Sequence, residues 1–288
     1  MHEFDIIKKY FQKNISPKRT DIILGSGDDC ALLMPPKNQL LAVSIDTLIE
    51  GVHFPKNLDA YEIAHKSLAV NLSDLAAMGA SPAWYTCSLS LTTNYNNSTW
   101  LKKFARGLKD IAHYYKISLV GGDLTKSKIL SITIQVHGFV PKKFALQRNQ
   151  AKPGDYIYVS GKLGKSILNN FTSRPEPRIQ LGLALRGKSA CAIDISDGLI
   201  ADLTHLLTKS KVGATIYVDK IPLVHPDGLY GGDDYELCFT GPKNLNLRNI
   251  DCEYTCIGKI ENKRGLRIYL SEHNKKLYTI KKSGYQHF

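Results

Sequence analysis

The sequence predicts a two-domain protein of the α/β (α+β) class. Three observations carry that prediction. The 288 residues suffice for one large domain or two of ordinary size, each with a real core. Apolar runs of strand length alternate with amphipathic helical stretches. A basic connector, PKKFALQRNQAKPGD, interrupts the pattern, which then restarts. The expected domains are residues 1–140 and 150–288.

Taken in order, MHEFDIIKKYFQK reads as a short amphipathic helix and not as a signal peptide. LLAVSID is an apolar run ending in an acid, so a strand should deliver Asp46. Residues 59–78 read as a helix. Asp59 and Glu62 fit a capping box, Gly79 suits the C-terminal cap and Pro82 stops continuation. On this helix Ser67, Asn71 and Asp74 share one face, beside Leu68, Leu72, Leu75 and Ala76. Asp74 thus lies in a polar stripe next to a buried one and needs a partner. AWYTCSLSL is a strand. Ser98 should cap a second helix with the apolar stripe Trp100, Phe104, Leu108, Ile111 and Tyr115. ISLVGGD reads as a strand ending at Asp123, and ILSITIQVHGFV as a long strand. Beyond the connector, DYIYVSG is a strand and residues 164–170 and 177–185 look helical. ACAIDISDGLIADLTHLLTKS is a strand, a tight turn and a helix. ATIYVDKIP, YELCFTG, YTCIGKI and LRIYL are strands.

Composition narrows the function classes. The net charge is +12, but the basic C-terminal stretch alternates with apolar residues, as on solvated strand faces, and no nucleic-acid motif occurs. No apolar run approaches the roughly 20 residues of a membrane span. Cys252 and Cys256 lack a second Cys or His pair, so the six cysteines read as reduced thiols of a cytoplasmic protein. The acids are more telling. Nine aspartates fall in six short clusters: GSGDDC, SIDT, NLSD, GGDLT, DISDG and GGDDY. Short carboxylates at Gly-rich element ends suit a hard cation, and Mg²⁺ with substrate phosphates fits better than zinc. SGKLGKS is not a P-loop, because the first glycine of that motif is replaced by Val159.

GDDCALL, SIDTLIEGVHF, KSLAVNLSDLAAMGASP, GGDLT, HGFV, AKPGDYIYVSG, AIDISDGLIADL and GGDDYELCFT occur in this order. Together they resemble the thiamine-monophosphate kinase family, of the superfamily that includes aminoimidazole ribonucleotide and selenophosphate synthetases. The resemblance implies a two-domain synthetase-like kinase fold. Its N-terminal mixed-sheet domain dimerises and binds ATP and Mg²⁺, and a C-terminal α/β domain follows. It implies metal binding by Asp29, Asp46, Asp74, Asp123, Asp194 and Asp197, with Ser44 and the backbone of Ile45. ATP contacts are implied for Gly122, Asp123, Arg148 and Ser196, and thiamine monophosphate contacts for His53 and Asp233. Asp233 stands where the family commonly has Glu. Lys282 stands where it often has a ring-stacking aromatic, with Tyr285 as the alternative. The stretch 222–231 looks short for the family.

The implied reaction passes the γ-phosphoryl group of ATP to a phosphate monoester, already an anion because its second pKa is about 6. No general acid or base is expected, and Asp74 is expected to find its partner in magnesium. The competing readings are a related superfamily synthetase and a non-catalytic nucleotide-binding module. Selenide chemistry would favour a reactive N-terminal cysteine, whereas Cys30, followed by Ala31, Leu32 and Leu33, reads as strand core.

Overall fold

A computed structural model describes residues 2–12, 15–172, 174–250, 252–274, 276–279 and 284–285. Two compact units emerge. The first comprises Met1–Leu75, Ser81–Pro141 and Phe171–Arg174; the second comprises Ala76–Ala80, Lys142–Asn170 and Pro175–Phe288.

In the first unit, α1 (Glu3–Ile6) runs into a π-helical turn, Ile7–Phe11. A short ribbon of β1 (Ile22–Leu24) and β2 (Leu32–Leu33) follows. The main sheet contains β3 (Gln39–Ile49), β4 (Ser81–Leu91), β5 (Ser118–Lys126) and β6 (Ser131–Pro141), in the order β3-β6-β4-β5. Only the β4–β5 pair is parallel. Alternation sets its faces: Ile132, Ile134 and Val136 of β6 are buried, while Thr133 and Gln135 are half-buried. Helix α2 (Ala60–Ala77) is buried almost all round, and α3 (Ser98–Tyr114) is one-sided, burying Trp100, Phe104, Leu108 and Ile111.

The second unit has a six-stranded sheet in the order β12-β9-β11-β7-β10-β8. Its elements are β7 (Tyr156–Ser160), α4 (Lys165–Leu168), α5 (Ile179–Leu185), β8 (Ala192–Asp194) and α6 (Leu199–Ser210). The strands β9 (Gly213–Tyr217), β10 (Leu237–Gly241), β11 (Tyr254–Glu261) and β12 (Gly265–Tyr269) complete it. Only β12 and β9 pair in parallel. Leu199, Leu203 and Leu206 of α6 pack with Ile157, Val159, Ile193, Ala214, Ile216 and Ile257 of the strands. Both units thus join mixed sheets to helices.

Several element ends differ from the sequence reading. Asp59 does cap α2, accepting the Tyr61 N–H at 2.9 Å, but Glu62 turns away to Arg174, so no capping box closes. Asn97, not Ser98, caps α3, taking the Trp100 N–H at 2.9 Å. Strand pairing, which an acid does not interrupt, carries β3 past Asp46 and β5 past Asp123. Helix α4 is a single turn, and β9 gives way to a 3-10 turn at Val218–Lys220. The stretch 222–231 holds one 3-10 turn, Pro226–Leu229.

Candidate functional site

In the first unit, β3 presents Ser44 and Asp46 toward the polar stripe of α2. Asn71 Nδ2 donates to the Ser67 carbonyl at 3.0 Å, which fixes the amide, and Asn71 Oδ1 accepts the Asp46 N–H at 3.1 Å. Ser44 Oγ donates to Asp74 Oδ2 at 2.5 Å. Burial, and then the Asp74 carboxylate beside it, push Asp46 up to about 6. Two carboxylates, a hydroxyl and an amide therefore sit together, all oxygen donors of the kind a hard cation takes. Ile45 points its side chain to the opposite face, where it is 57% exposed, leaving only its backbone on this side. His53 lies in the turn after β3, and its Nδ1 accepts the Ile49 N–H at 3.0 Å. The ring proton consequently sits on Nε2.

The remaining acids of this unit lie elsewhere. Asp46 is opposite Ile134, whereas Asp123 is opposite Ser88 and shares its face with Thr133. The two aspartates are thus on opposite faces, and on strands at opposite edges of a four-stranded sheet, roughly 14 Å apart by strand spacing alone. Asp28, Asp29, Gly122 and Asp123 line a cavity on the β5 side. Gly122 is required there: a Cβ would collide with the Cys87 carbonyl of β4. Cys30 lies exposed in this loop, outside β2, which corrects the reading of it as strand core; the strand takes only the next leucines.

In the second unit Asp194 ends β8 with 4% exposure, and the Arg148 guanidinium approaches it to 3.9 Å. Ser196 and Asp197 occupy the turn into α6. The GGDDYE segment lies alongside: Asp233 N–H donates to the Ser196 carbonyl at 2.8 Å, and Tyr235 N–H to that of Ile195 at 2.9 Å. Asp233 adopts a left-handed φ of 71°. Tyr285 N–H donates to the Asp197 carbonyl at 3.0 Å, which puts that residue at the same turn. Lys282 lies outside the described residues.

Three supporting acids escaped the sequence reading of roles. Asp202 accepts the Asp197 N–H at 3.0 Å, and its burial raises it to about 7. Asp234 accepts the N–H groups of Gly164 and Ser166 at 2.6 and 3.0 Å. Glu236, 3% exposed, receives Arg178 at 2.7 and 2.6 Å and Ser160 Oγ at 2.6 Å. The available signal was an Arg directly before an apolar helix and an acid opening a strand. Among the described residues, no three His, Cys, Asp or Glu side chains form a metal-sized cluster.

Comparison with known proteins gives a consistent outcome. Residues 27–140 match the family described as AIR synthase related protein, N-terminal domain. The chain is 44% identical over 326 residues to the thiamine-monophosphate kinase of Buchnera aphidicola subsp. Schizaphis graminum, covering 100% of this chain and 99% of that protein. It superposes with a TM-score of 0.80 and 40% identity on the thiamine-monophosphate kinase from Stenotrophomonas maltophilia K279a, covering 88% of this chain and 93% of the other. With AaThiL complexed with AMPPCP and TMP the TM-score is 0.79 at 29% identity, covering 88% and 89%.

Proposed function

The chain belongs to the thiamine-monophosphate kinase family, and from that premise we propose its reaction: ATP-dependent phosphorylation of thiamine monophosphate to thiamine diphosphate. It is a phosphotransferase whose acceptor is a phosphate group. The observation that carries the chemistry is the pairing of Asp46 and Asp74, with Ser44 and Asn71, in an all-oxygen setting. An acceptor that is already an anion needs charge management rather than a strong base.

The donor set fits magnesium, which we assign to Asp46, Asp74, Ser44 and the backbone of Ile45, and to Asp29, Asp123, Asp194 and Asp197. When bound, magnesium neutralises the phosphate charge of both substrates and aligns them for in-line transfer. Gly122 and Asp123 on β5, and Arg148 and Ser196 in the second unit, are our ATP contacts. We assign His53, whose Nδ1 accepts the Ile49 N–H, to the acceptor phosphate and give it no proton-transfer role. Asp233 and Tyr285 are our contacts for the thiamine moiety, with Lys282 as the other C-terminal candidate.

We also read the protein as a homodimer formed through residues 1–140, with residues 150–288 as the C-terminal domain. Edge strand β3 leaves Leu41, Val43 and Ile45 about half exposed on one face, an apolar stripe that a second copy would cover. Because Asp46 and Asp123 lie on opposite faces of one sheet, we take a second copy to bring one of them to the phosphates. The six cysteines are free thiols, which agrees with our assignment to the cytoplasm. No helix among the described residues is long and apolar enough to cross a membrane.

The deciding experiment measures ATP consumption with thiamine monophosphate, with unphosphorylated thiamine as control. Turnover with the monophosphate alone is expected; none with either compound would overturn the reading.

A further inference from the structure

We propose that the SGKLGKS turn, which is no P-loop, holds an internal carboxylate where a P-loop would hold phosphate, and that Asp234 and Ser166 are thereby positioning residues for thiamine monophosphate. The clamp they form fixes the backbone at Asp233, beside the turn that carries Ser196 and Asp197. The inference rests on the kinase reading for its substrate, since Asp233 is a thiamine contact only under that reading.

The turn has donors fit for an anion, and the anion is built in. The N–H groups of Gly164 and Ser166 converge on the two carboxylate oxygens of Asp234, at 2.6 and 3.0 Å. Ser166 Oγ donates to the Gly232 carbonyl at 2.7 Å. Ser166 is 1% exposed, whereas Lys162 and Lys165 of the same turn are exposed. Donors of the kind that cradle a phosphate in a P-loop are thus taken by a side chain of the GGDDYE segment.

The backbone of that segment explains the need for a clamp. Asp233 and Tyr235 have φ of 71° and 51°, in the left-handed region that residues with side chains seldom enter. Such backbone persists only where its surroundings over-determine it. Three sets of contacts do so. Gly232 and Asp234 are tied to the SGKLGKS turn. Asp233 N–H and Tyr235 N–H donate to the Ser196 and Ile195 carbonyls, and Ile195 N–H donates to the Glu236 carbonyl at 2.7 Å. Glu236 is held by Arg178 and by Ser160, whose Oγ also accepts the Leu237 N–H at 2.8 Å. Asp234 stands between the two left-handed residues, so its carboxylate restrains both. The Ser196–Asp197 turn has an anchor of its own in Asp202, which accepts the Asp197 N–H. Loosening Asp234 therefore frees Asp233 and leaves the nucleotide contacts in place.

The test pairs kinetics with amide hydrogen exchange on the full chain, each variant assayed well below its Tm. Asp234→Asn keeps the shape but offers one acceptor oxygen to two N–H donors. It should raise KM for thiamine monophosphate about tenfold, the scale of one charge-assisted bond, and leave kcat and KM for ATP within about twofold. Ser166→Ala removes only the hydroxyl and should raise the same KM about fivefold. In both variants exchange should quicken at residues 231–236. A lower Tm with unchanged KM for thiamine monophosphate, an equal rise in KM for ATP, or unchanged exchange at 231–236 would each overturn the proposal. A parent that does not turn over thiamine monophosphate sinks the kinase reading and the substrate named here, while exchange still decides whether the clamp holds the segment. An active parent whose KM for thiamine monophosphate is indifferent to Asp234→Asn sinks the positioning role alone.

Discussion

Asp46 and Asp74 are like charges held side by side, and each has been placed there by a different element. Asp74→Asn keeps the shape, removes one charge and relieves that repulsion. In chelator the variant should melt no lower than the parent, while magnesium-dependent turnover should fall by a hundredfold or more, roughly the loss of one major electrostatic contact. Thermal melts and a magnesium titration of kcat check both halves; near-normal activity at saturating magnesium would remove Asp74 from the metal site. Asp21 illustrates the opposite sign. Burial alone would raise it, but two bonds from Arg19, at 2.9 and 2.6 Å, and one from Trp84 at 3.3 Å hold its carboxyl below the usual range. A lowered folded-state pKa contributes stability that is present above the ordinary carboxylate value and lost as pH falls through the lowered one. Asp21→Asn should therefore lower Tm at neutral pH, and the gap should close under strong acid. At this scale the sequence was legible where periodicity spoke, as in the 67, 71, 74 stripe. It was silent where a contact spans the chain, as with Arg178 and Glu236, 58 residues apart.

Elements carry their own constraints. Gly122 lies where β5 passes close to the Cys87 carbonyl. Gly122→Ala should force the strands apart and cost about 1–3 kcal/mol, read by urea denaturation, with activity falling alongside. The GGDDYE segment is pinned by its acids, Asp234 to the turn before α4 and Glu236 to Arg178 and Ser160. Arg178→Met leaves a buried carboxylate without its cation and should cost about 3–5 kcal/mol, whereas adding Glu236→Leu should recover much of it. A double-mutant cycle by urea denaturation measures that recovery. Strand and helix cores were legible because period 2 and period 3.6 differ plainly. Their ends were not: Asn97 and Ser98 both suit a cap, and only the Trp100 N–H chose between them.

For the whole molecule, assembly is the open measurement. Val43→Glu puts a charge on the exposed apolar stripe of β3. Light scattering at micromolar concentration should show a dimer for the parent and a monomer for the variant, with turnover lost in the monomer. A parent that is monomeric and fully active would contradict the dimer. The basic connector was plain in the sequence, but which pieces group together was not. Ala76–Ala80 belongs with the second unit and Phe171–Arg174 with the first, since such grouping depends on contacts distant in the chain.

That late segment bears on biosynthesis. Within the first unit, buried Lys66 donates to the Phe171 carbonyl at 3.1 Å, and Arg174 pairs with Glu62 and lies over the Tyr61 ring. On the ribosome, the first 141 residues emerge well before these four do. The nascent unit must then wait, at about 5–20 residues per second, with Lys66 and Glu62 of helix α2 lacking these partners. A stall or truncation in that interval would expose an unfinished unit to chaperones and proteases, although every strand of its sheet had already been made.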